Sequence, residues 1–461
     1  MSEPRPIRDV VVIGAGIAGL AAAWDLRNRD VVVLEATDRI GGRIRSESRD
    51  PYWLNVGAHV FSGAGSATGR LVADVGVRCV RVPGTLVALE LNNKILVGGR
   101  PELYPFRLPL TASERRALAQ TGARLRLAVS KYEKAVAKRP GETGAESRRR
   151  LVSYDDGRSF ADWLGKLPGD ADALFRATVL RSTAEPEEIS AGAGVGYFAL
   201  VWSAGGGLSQ NIIGGPHVLL SAIEAELPAP VQLGARVTSV TQDDAGVTVV
   251  YVQGDQELQI RARQAVVTTK AFDTAAIVGG LPANLTAALK GILYGPTVVM
   301  GVLTSESDRV PFDDLYALAT PKRAFSMLFN MGNVLRQPGL PREPGGSLMM
   351  YRSGHGAAAL IELDEREIER RYLDDLFALY PQMRGHVAET LILKLPRMLP
   401  VVSPGRGELQ RALEQPLGRV HLAGDYLGGT YTETAIATAQ EAAAAVRRAL
   451  PLGEDRIHNR V

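Results

Sequence analysis

Residues 10–43 read VVVIGAGIAGLAAAWDLRNRDVVVLEATDRIGGR, and this stretch constrains the chain more than any other. Residues 10–13 are an apolar strand. Gly14, Gly16 and Gly19 make a G-x-G-x-x-G turn, with Ile17 and Ala18 opening a helix expected over 17–29. Residues 31–34 form a second strand that delivers Glu35 and Ala36. Strand, glycine turn, helix, strand and acid in this order make one parallel βαβ unit for a dinucleotide. Gly14 allows the tight turn, Gly16 lets the backbone approach a pyrophosphate, and Gly19 lets helix and strand pack closely. The helix N-terminus offers N–H groups and a positive dipole end to the phosphates, and Glu35 is placed for a ribose hydroxyl.

Arg39-Ile40-Gly41-Gly42-Arg43 follows Glu35, and Gly57-Ala58-His59 comes shortly after. On these residues the chain resembles the flavin amine oxidase superfamily, which includes monoamine and polyamine oxidases, protoporphyrinogen oxidases and carotenoid desaturases. The resemblance implies FAD as cofactor, with Gly42 and Arg43 packed on its pyrophosphate and Gly57 and Ala58 near the flavin ring. Two small residues permit close approach, and a guanidinium offers a planar fork for phosphate oxygens.

The same family reading explains the far end of the chain. Residues 419–425 are a strand ending in Ala423-Gly424-Asp425, and residues 428–435 are a polar, Gly-rich approach to a helix expected over 436–450. By resemblance, Gly424 and Asp425 meet the flavin, with Asp425 accepting from a ribityl hydroxyl. The helix start at Thr434 and Ala435 points N–H groups at the ring edge where charge develops on reduction. Between the ends, 214–216 is glycine-rich before a helix over 217–226, and 236–240, 246–251 and 259–268 form a β-meander. Val237 matches the position whose main chain holds the adenine.

These segments give an α/β fold in which a Rossmann-type FAD-binding domain (1–85, 205–270, 395–461) interleaves with a substrate domain of mixed sheet plus helices (86–204, 271–394). In the latter, 85–205 is expected to be mostly helical. Runs 297–304, 324–331 and 347–352 are β-rich, and 362–380 is an amphipathic helix.

The chain has 461 residues, 46% hydrophobic and 22% charged, enough for more than one cored domain. A net charge of +3 over this length gives no reason to expect nucleic acid. One cysteine, Cys79, excludes an internal disulfide and suits a reducing, cytoplasmic compartment. Arg5 and Arg8 before an apolar run imitate a secretion signal, but that run holds the fingerprint. No run of roughly 18 apolar residues predicts a spanning helix. The Arg/Lys-rich helix within 111–137 is expected to be a solvated face, with peripheral membrane contact the alternative. A homodimer is one possible assembly. The six histidines have no metal-ligand spacing, so no metal is expected.

Departures from the family pattern shape the functional expectation. Amine oxidases carry a lysine in a substrate-domain strand, and residues 294–301 here read YGPTVVMG. No cysteine lies in 399–405, so FAD is expected to be non-covalent. Leu395-Pro396 and Leu399-Pro400 partly match the W-P…L-P run of protoporphyrinogen oxidases and desaturases. The leading expectation is an FAD-dependent oxidase or dehydrogenase that moves hydride from a C–H bond of a small or medium apolar substrate to the flavin, desaturating a C–C bond. Oxygen is one possible acceptor. Oxidation of a C–N bond to an imine is the alternative, kept open by Tyr431 before the last helix. A flavin isomerase without net redox change and a non-enzymatic binding protein are further alternatives. Tyr431 and His59 are the candidate catalytic residues, and Tyr197, Phe198 and Trp202 are candidate pocket aromatics.

Overall fold

The computed structural model describes residues 7–82, 88–202, 208–336, 339, 341–429 and 431–451. Arg5 and Thr430 lie outside the described residues.

The fingerprint folds as its pattern dictates. The strand Arg8–Ile13 pairs in parallel with Val31–Leu34, joined by the helix Ile17–Asp25. Ile17 through Trp24 are all buried, because this helix packs between the sheet and the last helix, Thr432–Ala449. A helix apolar all round belongs in such a place. It ends at Asp25 rather than 29, where Arg27 folds back so that its Nη1 donates to the Trp24 carbonyl (2.7 Å).

The meander strands Ala235–Asp243, Gly246–Gln253 and Gln256–Val267 complete this sheet, with Val420–Leu422. Gln256–Val267 has two sets of neighbours. Its first half runs antiparallel to Gly246–Gln253, and its second half runs parallel to Arg8–Ile13 on one side and Val420–Leu422 on the other. That arrangement brings the carboxyl ends of strands from both termini to one edge. In open α/β sheets this edge is where ligands bind. Residues 231–233, apolar enough to suggest a strand, make only a single bridge from Gln232 to Leu34.

A second sheet of seven strands runs through Val387–Pro400, Tyr294–Thr304, Gly346–Ser353, Met327–Asn330, Ala317–Ala319, Ala88–Leu91 and Lys94–Leu96. The three β-rich runs expected at 297–304, 324–331 and 347–352 are its centre. Val387–Pro400 pairs antiparallel with Tyr294–Thr304, although its two prolines hide it from a strand pattern. Two short strands, Ala88–Leu91 and Lys94–Leu96, interrupt the region expected to be helical. Helices joined by short turns make up most of its described remainder. Ala112–Val136 starts at a Thr111–Glu114 capping box and Phe160–Leu164 at a Ser159–Asp162 one. The amphipathic run at 362–380 is the helix Glu365–Leu379, capped by Asp364. Among the described residues no helix is long and apolar enough to cross a membrane.

Candidate active site

Three glycines build the turn after the first strand by three different means. Gly14 has φ +97°, and its N–H donates to the Leu34 carbonyl (2.8 Å). A Cβ on Gly19 would lie 1.8 Å from the Gly14 carbonyl oxygen, so helix and turn are in backbone contact there. A Cβ on Gly16 would meet nothing within 4 Å. It would project into open space at the helix N-terminus, which is the cradle a pyrophosphate needs. The second glycine pair docks on this turn, with the Gly41 N–H donating to the Ala15 carbonyl (2.7 Å).

Glu35 is held by its own turn. One carboxylate oxygen accepts from Ala15 N–H (2.8 Å), and the other from Thr37 N–H (2.9 Å) and the Thr37 hydroxyl (2.8 Å). An ionised carboxylate has about four acceptor sites. Capacity for a ribose hydroxyl therefore remains.

The two ends of the chain meet in an ion pair. Arg43 donates from both terminal nitrogens to Asp425 (2.6 and 2.9 Å), and also to the Met398 carbonyl (3.0 Å). Burial works against the Arg43 charge, but the facing carboxylate outweighs it and raises the guanidinium pKa. The fork expected on phosphate is thus directed at Asp425, because a carboxylate as buried as this one requires a counter-ion. The Thr438 hydroxyl clamps the preceding turn, accepting from Gly424 N–H (3.0 Å).

One cavity of about 720 Å³ gathers these elements. Gly14, Gly16, Ile17, Ala18, Glu35, Ala36, Gly42, Arg43, Gly57, Ala58, Val237, Gly424, Asp425 and Ala435 line it, and so do His59 and Tyr431. Gly19 and Thr434 do not. Gly19 packs behind the turn. The last helix begins at Thr432, with Tyr431 as its N-cap, not near Thr434 as its composition suggested. The N–H groups of Thr434 and Ala435 both donate to the Tyr431 carbonyl (3.0 and 3.3 Å). Of the three pocket aromatics expected, only Tyr197 lines the cavity. Phe198 is one residue round the helix and packs instead with Phe160, Phe175 and Trp202.

Tyr197 and Tyr431 pack against each other with ring centroids 6.0 Å apart and planes tilted by 49°. Burial pushes the Tyr431 phenol well above its usual pKa, so it is neutral near pH 7. The second sheet adds Tyr316, Met327, Phe329, Met349 and Tyr351 to the wall. Met327/Phe329 and Met349/Tyr351 are i, i+2 pairs on one strand face. That alternation was visible in the sequence, but which face meets the cavity was not. At the strand where the resemblance implies a lysine, Thr297 and Ser353 share a hydroxyl–hydroxyl bond (2.9 Å). Lys270, which no motif marked, lines the cavity just past the strand Gln256–Val267; burial lowers its pKa and the Arg43 charge adds to that.

His59 is buried, and its Nδ1 donates to the Gly57 carbonyl (3.2 Å). Its Nε2 has no hydrogen-bond partner among the described residues. Burial lowers its pKa from 6.5 to about 4, so the imidazole is neutral and Nε2 can only accept. Below pH 6.5 the unfolded chain binds a proton here that the folded chain refuses until about pH 4. Stability should therefore fall as pH drops through that window, by up to about 3 kcal/mol from this residue. Urea midpoints measured against pH should flatten over the same window in His59→Phe, and an unchanged slope would contradict the buried neutral histidine.

Among the described residues no group of three His, Cys, Asp or Glu could hold a metal ion.

Residues 17–447 match the family model described as flavin containing amine oxidoreductase. A putative flavin-containing monoamine oxidase of Mycobacterium tuberculosis is 29% identical over 273 residues, 56% of this chain and 56% of that protein. The chain thus matches about half the length of this relative. A protoporphyrinogen oxidase of Arabidopsis thaliana is 41% identical over 71 residues, covering 15% of this chain and 14% of the relative. The solved structure of a cyclohexylamine oxidase from Brevibacterium oxydans superposes with a TM-score of 0.76 at 21% identity, over 97% of this chain and all of that one, which is a likeness of fold. With the family model spanning nearly the whole chain, this protein belongs to the flavin containing amine oxidoreductase family.

Proposed function

We propose that the chain binds FAD non-covalently in this cavity and oxidises a C–H bond beside the nitrogen of a small or medium amine. The open space at Gly16 and the run of lining residues from Glu35 and Val237 to Asp425 fit a dinucleotide. Gly14, Gly16, Ile17, Ala18 and Gly42 would hold its phosphates, with Gly19 keeping the turn in shape. Glu35 and Ala36 would hold the adenosine ribose and Val237 the adenine. Gly57, Ala58, Gly424, Asp425 and Ala435 would surround the flavin, with Thr434 one step behind them in the first turn of the last helix. Bound FAD would supply the two-electron acceptor.

The Tyr197–Tyr431 pair carries the amine reading. The two rings pack on each other at one end of the cavity and offer it π-faces that attract an ammonium or polarise an amine lone pair. His59 offers a neutral acceptor at Nε2, its one proton being held on Nδ1 by the Gly57 carbonyl. The hydroxyl pair Thr297–Ser353, standing where a lysine is expected, favours a second reading, desaturation of a C–C bond.

The two readings differ in pH dependence. An amine must lose its proton before hydride leaves the neighbouring carbon, so the rate of flavin bleaching in stopped flow should rise through the bound amine's pKa. A carbocyclic substrate has no such titration. A rate independent of pH, with simple amines inert, would replace the amine reading by the desaturase one.

The non-covalent link has its own test. Burial raises the Cys79 thiol to about 11, and Cys79 is not among the residues lining the cavity. A thiol of that pKa is a poor nucleophile. Acid precipitation should leave a colourless pellet under a yellow supernatant; a yellow pellet would overturn the assignment.

A further inference from the structure

Arg181 lines the cavity, and among the described residues it makes no hydrogen bond and no ion pair. Its position is fixed by its neighbours. It is the middle residue of the turn Leu180–Ser182, whose flanking Leu180 and Ser182 are fully buried. Thr183 follows in a left-handed conformation (φ +67°). The Thr183 carbonyl approaches Gly295 so closely that a Cβ there would lie 2.0 Å from it, which pins the turn to the strand Tyr294–Thr304. The acids nearest in sequence are already engaged. Glu185 and Glu187 both accept from Arg176, and Glu185 also accepts from His355 N–H. Around Arg181 the wall is aromatic, and its charge acts on His59, Tyr316, Tyr351 and Tyr431.

A guanidinium on an aromatic cavity wall with no acid opposite it is a half-built ion pair. Its planar fork matches a carboxylate in two parallel hydrogen bonds. We propose that Arg181 is a specificity-determining residue that binds a carboxylate of the substrate, so that the cavity takes an amphipathic acid, with one carboxylate on an aromatic or apolar body. This rests on the cavity being the substrate site of a flavin enzyme. It changes the expected substrate from wholly apolar to anionic at one end, whether a C–N or a C–C bond is oxidised.

Benzoate, its neutral isostere benzamide, and benzylamine serve as probes in calorimetric titrations of the holoenzyme. Benzoate should bind roughly tenfold or more tightly than benzamide, the step expected of a charge-assisted pair. Arg181→Met should abolish that preference while retaining its flavin and its affinity for benzylamine, which a merely structural role would not separate. Arg181→Lys, keeping the charge without the fork, should retain only part of it. Equal binding of benzoate and benzamide by the parent, or an undiminished preference in Arg181→Met, would overturn the proposal. If Arg181→Met does not fold, the parent comparison and Arg181→Lys still decide it, since a preference that Arg181→Lys leaves untouched counts against the fork. Protein that purifies colourless and takes up no FAD sinks the flavin reading instead, and the benzoate preference remains measurable on that same protein.

Discussion

Gly16→Ala should fold normally and lose its cofactor, whereas Gly19→Ala should fail at folding. Both changes add one methyl group, three residues apart. At Gly16 the backbone is extended (φ −67°, ψ 173°), a conformation alanine adopts without strain, and the new Cβ meets no protein atom within 4 Å. Replacing a helix-capping glycine by alanine shifts stability by no more than about 1 kcal/mol. The methyl would instead occupy the space proposed for the pyrophosphate. Overpacking of that kind costs about 1–3 kcal/mol, or roughly a 5- to 150-fold loss of FAD affinity. At Gly19 the Cβ would lie 1.8 Å from the Gly14 carbonyl oxygen, backbone against backbone, with no side chain free to move aside. The loss there should exceed about 3 kcal/mol. Urea midpoints and flavin absorbance per polypeptide separate the two effects. A Gly19→Ala protein as stable as the parent would refute the close contact, and a fully yellow Gly16→Ala protein would refute the placement of the phosphates.

The Arg43–Asp425 pair should give the second large effect, and an asymmetric one. The Asp425 side chain is 5% exposed and that of Arg43 28%. Removing one partner of a buried pair costs about 3–5 kcal/mol, because the other is left charged and unpaired. Arg43→Met leaves the more buried group uncompensated, so it should destabilise more than Asp425→Leu. The double variant should recover part of the loss, giving a coupling energy of about 1–3 kcal/mol in a double-mutant cycle. Additive losses would mean that the two side chains do not act on each other in solution.

Much of the first sheet was legible in the sequence because its signals are local. Gly14, Gly16, Gly19 and Glu35 lie within one βαβ unit, and the meander from Ala235 to Val267 alternates and turns as such strands do. The strand Val387–Pro400 escaped notice because Pro396 and Pro400 cannot donate to a ladder, and partner strands rather than composition make it a strand. At the site, residues tied to backbone shape were legible and residues tied to long-range assembly were not. Arg181 sits in an unremarkable Leu-Arg-Ser-Thr run, and only folding brings it to the same cavity as Tyr431 and Tyr351. The partner of Arg43 was equally hidden, since nothing near position 43 announces an acid 382 residues away.

That separation has a consequence during synthesis. At about 5–20 residues per second, the ribosome needs roughly 20–80 s to travel from Arg43 to Asp425. Throughout that interval the glycine turn exists without the strand Val420–Leu422 beside its sheet or the helix Thr432–Ala449 across its own helix. The apolar face of Ile17–Asp25 must then be shielded by something other than its final neighbour. The floor of the cavity, which needs both Arg43 and Asp425, therefore closes only after the chain has been made as far as its last strand and helix.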